Sequence, residues 1–177
     1  RRLSKNDLGF DVYAEAFRLY GVDLSTIDGV SAGTLTVLMS ELGNARDILG
    51  NFPSAKAFAS WLGLCPDNRI SGGRILRSKT RRIVNRIAGA LRMAAQGLTH
   101  AKCAMGDYCR RMKARLGKAE GTTAVAHKLA RLIYALIQSR QPYDEAKAFQ
   151  TNAKTRARRL KALQKLAKSL NMQISPA

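Results

Sequence analysis

The chain has 177 residues, 46% of them hydrophobic, enough for one compact domain with an appended helix and too many to need a metal or a disulfide for stability. Its 31 Lys and Arg against 12 Asp and Glu leave a net charge of +19, which implies a polyanion partner that releases counterions on binding, with a membrane surface as the weaker alternative. No apolar run approaches the roughly 18 residues of a membrane span and the first residues are charged, so the reading is a non-secreted, cytoplasmic protein with no membrane segment.

Apolar spacing reads as helix almost throughout. Val12, Ala16 and Leu19 predict a first helix that breaks at Tyr20-Gly21. The stretch from Ile27 to Gly43 follows, with Val37, Leu38 and Leu42 on one face. Ser54 is placed to cap a short helix through Trp61, ended by Gly63. Residues 64–78 have no helical period and hold Pro66, Gly72 and Gly73, which predicts a loop or small hairpin. Ile83, Ile87, Leu91, Ala94 and Leu98 then mark a long helix. Met105, Tyr108, Cys109, Met112 and Leu116 mark another, stopped by Gly117. Val125, Leu129, Leu132, Ile133, Leu136 and Ile137 mark a third, capped by Thr122 or Thr123. Beyond Pro142, Phe149, Ala153, Leu160, Leu163, Ala167 and Leu170 form a thin apolar seam on a basic segment that is expected to leave the core. The expected fold is all-α: a helix-hairpin-helix-containing helical domain with a loop or hairpin around Ser71 and a protruding basic C-terminal helix.

Charge is unevenly distributed. Residues 1–50 hold five basic and seven acidic side chains, and no acid follows Glu145. Cys65, Cys103 and Cys109 lack the paired spacing of a zinc site, so reduced, half-buried thiols and no metal are expected. Asp7, Asp11 and Glu15 fall at i, i+4 and i+8, the spacing of a solvated helix face. A hard-cation site needs convergent oxygens from more than one element.

Two constellations carry chemistry. Ile27-Asp28-Gly29-Val30-Ser31 has the shape of a helix-hairpin-helix turn, in which Gly29 and Ser31 offer backbone N–H groups to a phosphate. An ordinary interhelical turn is the equal alternative, and Asp23 and Asp28 weaken the DNA reading. The second runs from Trp61 to Arg92 and sets Ser71-Gly72-Gly73 among Arg69, Arg74, Arg77, Lys79, Arg81 and Arg82. An exposed hydroxyl on a glycine turn among guanidinium groups has what attack on a phosphodiester needs. Taken alone, a Ser-Gly-Gly turn is more often only a turn.

The run Leu62-Gly63-Leu64-Cys65-Pro66, Ser71-Gly72-Gly73, Ser78-Lys79-Thr80-Arg81-Arg82 and Ala90-Leu91-Arg92-Met93-Ala94-Ala95 resembles the C-terminal domain of the insertion-sequence one-ten family of transposases. Tyr108 to Gly117 and Ala126 to Arg131 share the resemblance, which covers roughly residues 20–145. It implies a serine transposase guided by a structured non-coding bridge RNA, acting as a homo-oligomer on DNA in the nucleoid. The family joins a RuvC-like domain, which holds Mg2+ on carboxylates, to a domain with a nucleophilic serine. By match to the serine-glycine motif, that serine is Ser71. The RuvC-like part is not in this sequence, so no cofactor is expected on this stretch itself, and Thr80-Arg81-Arg82 departs from the glycine-asparagine of many members. The expected organisation is residues 1–20 as a lead-in helix or linker from an upstream domain, 21–142 as the helical transposase domain and 143–177 as a basic helix or arm.

The rival reading is a non-catalytic helix-hairpin-helix module that holds DNA or RNA. A scaffold whose last helix drives assembly is a third. Arg156, Arg158 and Arg159 of that last segment are expected to face nucleic acid. His127 reads as an exposed phosphate or solvent contact rather than a general base. Tyr108 and Tyr134 read as packing residues, and Phe58 and Trp61 as core anchors.

Overall fold

The structure, a computed structural model, describes residues 9–81, 83–149, 160, 161, 163, 164, 166–170 and 172. It is mostly helical, as the spacing predicts. The chain divides into two units, Arg1–Tyr143 and Asp144–Ala177.

In the first unit the helices begin where side chains can satisfy their orphan N–H groups. Asp11 caps α1 (Val12–Tyr20) by accepting from the N–H groups of Tyr13 and Ala14. A turn of 3-10 helix at Leu24–Thr26 leads to α2 (Ala32–Leu42), capped by Ser31. Between them Ile27 to Val30 form a turn, as the glycine at position 29 predicts, and the helix begins only at Ala32. The leading element of the presumed helix-hairpin-helix is therefore a single 3-10 turn. Asn44 and Asp47 form a capping box on α3 (Ala45–Asn51), a helix the apolar spacing alone did not predict. Ser54 caps α4 (Ala55–Trp61) as expected, through a bond from Ala57 N–H at 3.1 Å.

After the hairpin, α5 (Arg86–Gly97) starts at its Asn85 cap, so Ile83 precedes the helix that its spacing placed it in. Ile83 instead fills the space beside Gly63, where an added Cβ would stand 3.1 Å from the Ile83 side chain. A 3-10 turn (Leu98–His100) connects to α6 (Ala104–Leu116), capped by Cys103. Gly117, at φ +90°, ends α6 and opens α7 (Lys118–Ser139). Thr122 and Thr123 are thus inside α7 rather than at its cap, and their hydroxyls donate back to the carbonyls of Lys118 and Ala119.

At 22 residues, α7 spans about 33 Å and organises the core. The helices α4, α5 and α6 pack on it, α2 packs on α5, and α1 on α2. Val125, Leu129, Ile133 and Ile137 of α7 are buried, as are Phe58, Leu62, Ile87, Leu91 and Met105 in and beside the helices that pack on it. Each such side chain contributes about 1.5–3 kcal/mol through burial. Tyr134 is buried as expected and donates its hydroxyl to the Phe52 carbonyl at 2.6 Å. Trp61 corrects its reading as a core anchor. It is 44% exposed and rests on the rings of Phe52 and Phe58 at 5.1 and 6.4 Å. Cys65 and Cys103 are half-buried thiols, while Cys109 is fully buried and donates to the Ala95 carbonyl at 3.4 Å.

In the second unit, α8 (Glu145–Ala148) is capped by Asp144, and the described residues from 160 to 169 are helical. Of the proposed seam, Leu160, Leu163 and Leu170 are exposed and Ala153 lies outside the described residues. None of the unit's described side chains is buried. Deletion of residues 146–177 should therefore leave the first unit folded, with its thermal midpoint within a few degrees of the intact chain by calorimetry. The deletion should also lower nucleic-acid affinity through the lost positive charge. Loss of cooperative unfolding in the truncated chain would contradict this.

Candidate functional site

The loop or hairpin expected between Leu64 and Ser78 is a two-stranded antiparallel ribbon, β1 (Pro66–Ser71) and β2 (Arg74–Thr80), joined by Gly72 and Gly73. Those two residues sit at φ +54° and +75°, the left-handed pair that a two-residue primed turn requires and that glycine adopts without strain. Ser71 is the last residue of β1, register partner of Arg74 across the turn, and exposed. The serine is thereby held by a tight turn at the tip of a ribbon.

The ribbon's register is not uniform. Arg69 pairs with Arg77 but Ile70 pairs with Ile75, so Leu76 is an extra residue in β2, a β-bulge. Side-chain alternation has a period of two, so one extra residue exchanges the faces for everything beyond it. With strict pairing from the turn, position 69 would oppose Leu76. The bulge instead makes positions 77 and 79 the register partners of positions 69 and 67, which alternate with Ser71 on one face. The register thus groups positions 67, 69, 71, 74, 77 and 79. Sequence spacing could not show this, because a bulge is a property of strand pairing.

Pro66, Asp67, Asn68, Ile70 to Arg74 and Leu76 are all exposed, Ile70 at 63% and Leu76 at 70%. An isolated two-stranded ribbon is marginally stable in water. Its root is fixed by Arg81, whose guanidinium donates to the carbonyl and hydroxyl oxygens of Ser60 on α4 at 3.1 and 3.0 Å. Arg81, read from sequence as a nucleic-acid contact, thus also latches the ribbon. Arg86 is likewise bound to Glu41 of α2 at 2.9 Å. Arg74 is exposed, whereas Arg82, Arg156, Arg158 and Arg159 lie outside the described residues.

Gly29 and Ser31, the other sequence-derived pair, stand at the exposed turn before α2. Gly29 has φ +89° and lies against Leu98, whose side chain an added Cβ would approach to 3.0 Å. Ser31 Oγ accepts from Thr34 N–H at 3.5 Å. The structure does not bring this turn and the ribbon into one element. Among the described residues no three of His, Cys, Asp and Glu converge. Asp11 caps α1 and Glu15 pairs with Arg18 at 2.6 Å. Asp7, the third carboxylate of that spacing, lies outside the described residues.

His127 is half-buried on α7, not exposed as its position opposite Leu129 and Leu132 suggests, because α4 and α6 cover part of that face. Burial, aided by the charge of Arg131, pushes its pKa below that of an ordinary imidazole.

The domain is helical and basic and projects a glycine-tipped hairpin, and comparison with known families finds the stretch that encloses the hairpin transposase-like. Residues 23–110 are similar to the family described as Transposase IS116/IS110/IS902. The match begins before the Gly29 turn and ends within α6, so it takes in Ser71 and the whole ribbon but not α7. No curated protein matches the chain.

Proposed function

We propose that this chain supplies the nucleophile for DNA strand cleavage and transfer, with Ser71 as the attacking residue. The observation that carries the reading is the placement of Ser71: exposed, one residue before a two-glycine turn, at the tip of a basic ribbon inside the transposase-like stretch. The turn leaves room for a DNA backbone to approach, since an added Cβ at Gly72 or Gly73 would meet nothing within 4 Å. In the proposed step the Ser71 hydroxyl gives up its proton to a base and its Oγ bonds to a DNA phosphorus. One P–O bond of the backbone breaks, and the departing strand oxygen takes up a proton. The phosphoserine ester conserves the bond energy until the hydroxyl of another strand displaces the serine.

Arg69, Arg74, Arg77 and Lys79 are assigned to the phosphate. Register sets Arg69 opposite Arg77, and like charges placed directly opposite destabilise a bare hairpin. A bound phosphate removes that penalty and gains charge-assisted hydrogen bonds. Gly29 and Ser31 extend the same reading to the turn before α2, where backbone N–H groups at a helix start suit a phosphate. Guidance by a bridge RNA, assembly as a homo-oligomer and Mg2+ held on a RuvC-like domain belong to the reading through the family likeness. In that assembly Arg156, Arg158 and Arg159 contact nucleic acid.

The reading predicts that the chain by itself binds duplex DNA with little sequence preference. Its affinity should fall by about 0.9 log units per log unit of salt for each phosphate neutralised. Arg74→Ala should flatten that slope by about one phosphate and slow strand transfer. Fluorescence anisotropy across a salt series checks this, and an Arg74→Ala variant with unchanged slope and unchanged rate would remove Arg74 from the site.

A further inference from the structure

Successive side chains of a strand alternate between faces, so a ribbon packed on a core buries every second one. The ribbon of β1 and β2 does not: its described side chains from Pro66 to Leu76 are all exposed. Two of them are large and aliphatic, Ile70 at 63% and Leu76 at 70%. Exposed aliphatic side chains standing singly are ordinary, but these two flank the Gly72-Gly73 turn. Ile70 immediately precedes Ser71 and falls on the other face by alternation, and Leu76 is the bulged residue, outside the regular pairing of β2.

We propose that Ile70 and Leu76 form an apolar wedge that enters between DNA bases beside the phosphate taken by the Ser71 face, an inference that rests on the reading of the ribbon as a DNA contact. The partner must suit basic and apolar groups on one narrow element. The strands hold Arg69, Arg74, Arg77 and Lys79 against the single acid Asp67, and that balance favours a nucleic acid over an apolar protein surface. A duplex groove has walls of phosphate and a floor of bases, and a two-stranded ribbon is narrow enough to enter one. Neighbouring residues of a strand stand about 3.3 Å apart and neighbouring nucleotides about 3.4 Å apart along one DNA strand. With Ser71 at a phosphate, Ile70 is therefore within reach of the base step which that phosphate joins. Unstacking the step costs energy, and removing the two aliphatic side chains from water offsets it. The latch of Arg81 onto Ser60, at 3.1 and 3.0 Å, holds the root of the ribbon against the domain as the tip is pressed in. An opened step loosens the backbone around the phosphorus that Ser71 attacks.

2-Aminopurine, dim when stacked in a duplex and bright when unstacked, reads the wedge directly. A duplex carrying it at alternate positions and a dye at one end should brighten when the whole chain saturates it, with anisotropy of the dye reporting saturation. The double variant Ile70→Thr with Leu76→Thr keeps strand-forming residues and every charge, so it should bind with affinity within about twofold of the parent and lose the brightening. Ile70→Leu with Leu76→Ile should keep it, as should Met93→Thr, which alters an aliphatic side chain of α5 that is 73% exposed. A mismatched step is easier to open, so the parent should prefer a singly mismatched duplex about tenfold, and the double Thr variant should not. Saturated binding without brightening, or equal brightening by the double Thr variant, would overturn the proposal. So would a change of oligomeric state in that variant with its brightening intact, which would make the cover a second copy of the chain. Absence of any DNA binding would end this inference together with the DNA reading, whereas binding without brightening ends this inference alone. Ser71→Ala should brighten the duplex as the parent does, so the nucleophile assignment fails or stands separately.

Discussion

Replacing Gly106 by alanine should destabilise the domain by roughly 2–4 kcal/mol, although glycine to alanine within a helix ordinarily stabilises by up to about 1 kcal/mol. Gly106 lies in the first turn of α6, and a Cβ there would fall on the carbonyl oxygen of Ala101, 3.0 Å from its carbon and 3.1 Å from the Leu98 carbonyl oxygen. These are backbone atoms of the 3-10 turn and its exit, which also anchor Arg110 through the Thr99 and Ala101 carbonyls at 3.1 and 2.9 Å. Relief would need the whole connection to move. Gly89, in α5, is the internal contrast, because an added Cβ would meet nothing within 4 Å. Denaturant melts should show Gly89→Ala at or above the parent stability and Gly106→Ala well below it. Equal midpoints for the two would mean that the turn between α5 and α6 is softer than described.

Ser71→Ala should reduce strand transfer by about a thousandfold or more, while affinity for DNA changes by less than about twofold. The substitution removes one hydroxyl and no positive charge, and Ser71 is exposed, so neither the ribbon nor the core depends on it. A catalytic residue lost in this way affects rate and spares binding, whereas an arginine lost from the ribbon affects both. Strand transfer at near parent rate in Ser71→Ala, with binding intact, would end the assignment.

The helical class, the Ser54 cap, the break at Gly63 and the glycine-tipped hairpin were legible because each depends on local spacing. The start of α5 was not: Ile83 has the right period, but it is drawn to the space beside Gly63, and the Asn85 cap sets the boundary. The start of α7 was misplaced for a related reason. Gly121 looks like a helix breaker ahead of Thr122, yet it lets α7 approach Lys113 of α6, whose Cα an added Cβ would meet at 2.6 Å. Close helix contact, a tertiary fact, thus overrides a local stop signal. The capping box at Asn44 and Asp47 was readable and would have given α3. The bulge at Leu76 and the partial burial of His127 lay beyond any one-dimensional reading, because one is set by strand pairing and the other by three helices meeting. Basic residue counts misled in a specific way. Arg81, Arg86 and Lys113 are engaged with Ser60, Glu41 and Thr99, so part of the charge around the ribbon supports the fold.

The central claim is a covalent one, and trapping tests it most directly. The chain, supplied with the partners proposed above and a DNA substrate nicked so that the released strand diffuses away, should accumulate a protein–DNA adduct that survives denaturation. Peptide mapping should place the bond on Ser71 Oγ, and the adduct should be absent with Ser71→Ala. Efficient strand transfer with no adduct, or an adduct on any other residue, would contradict the account.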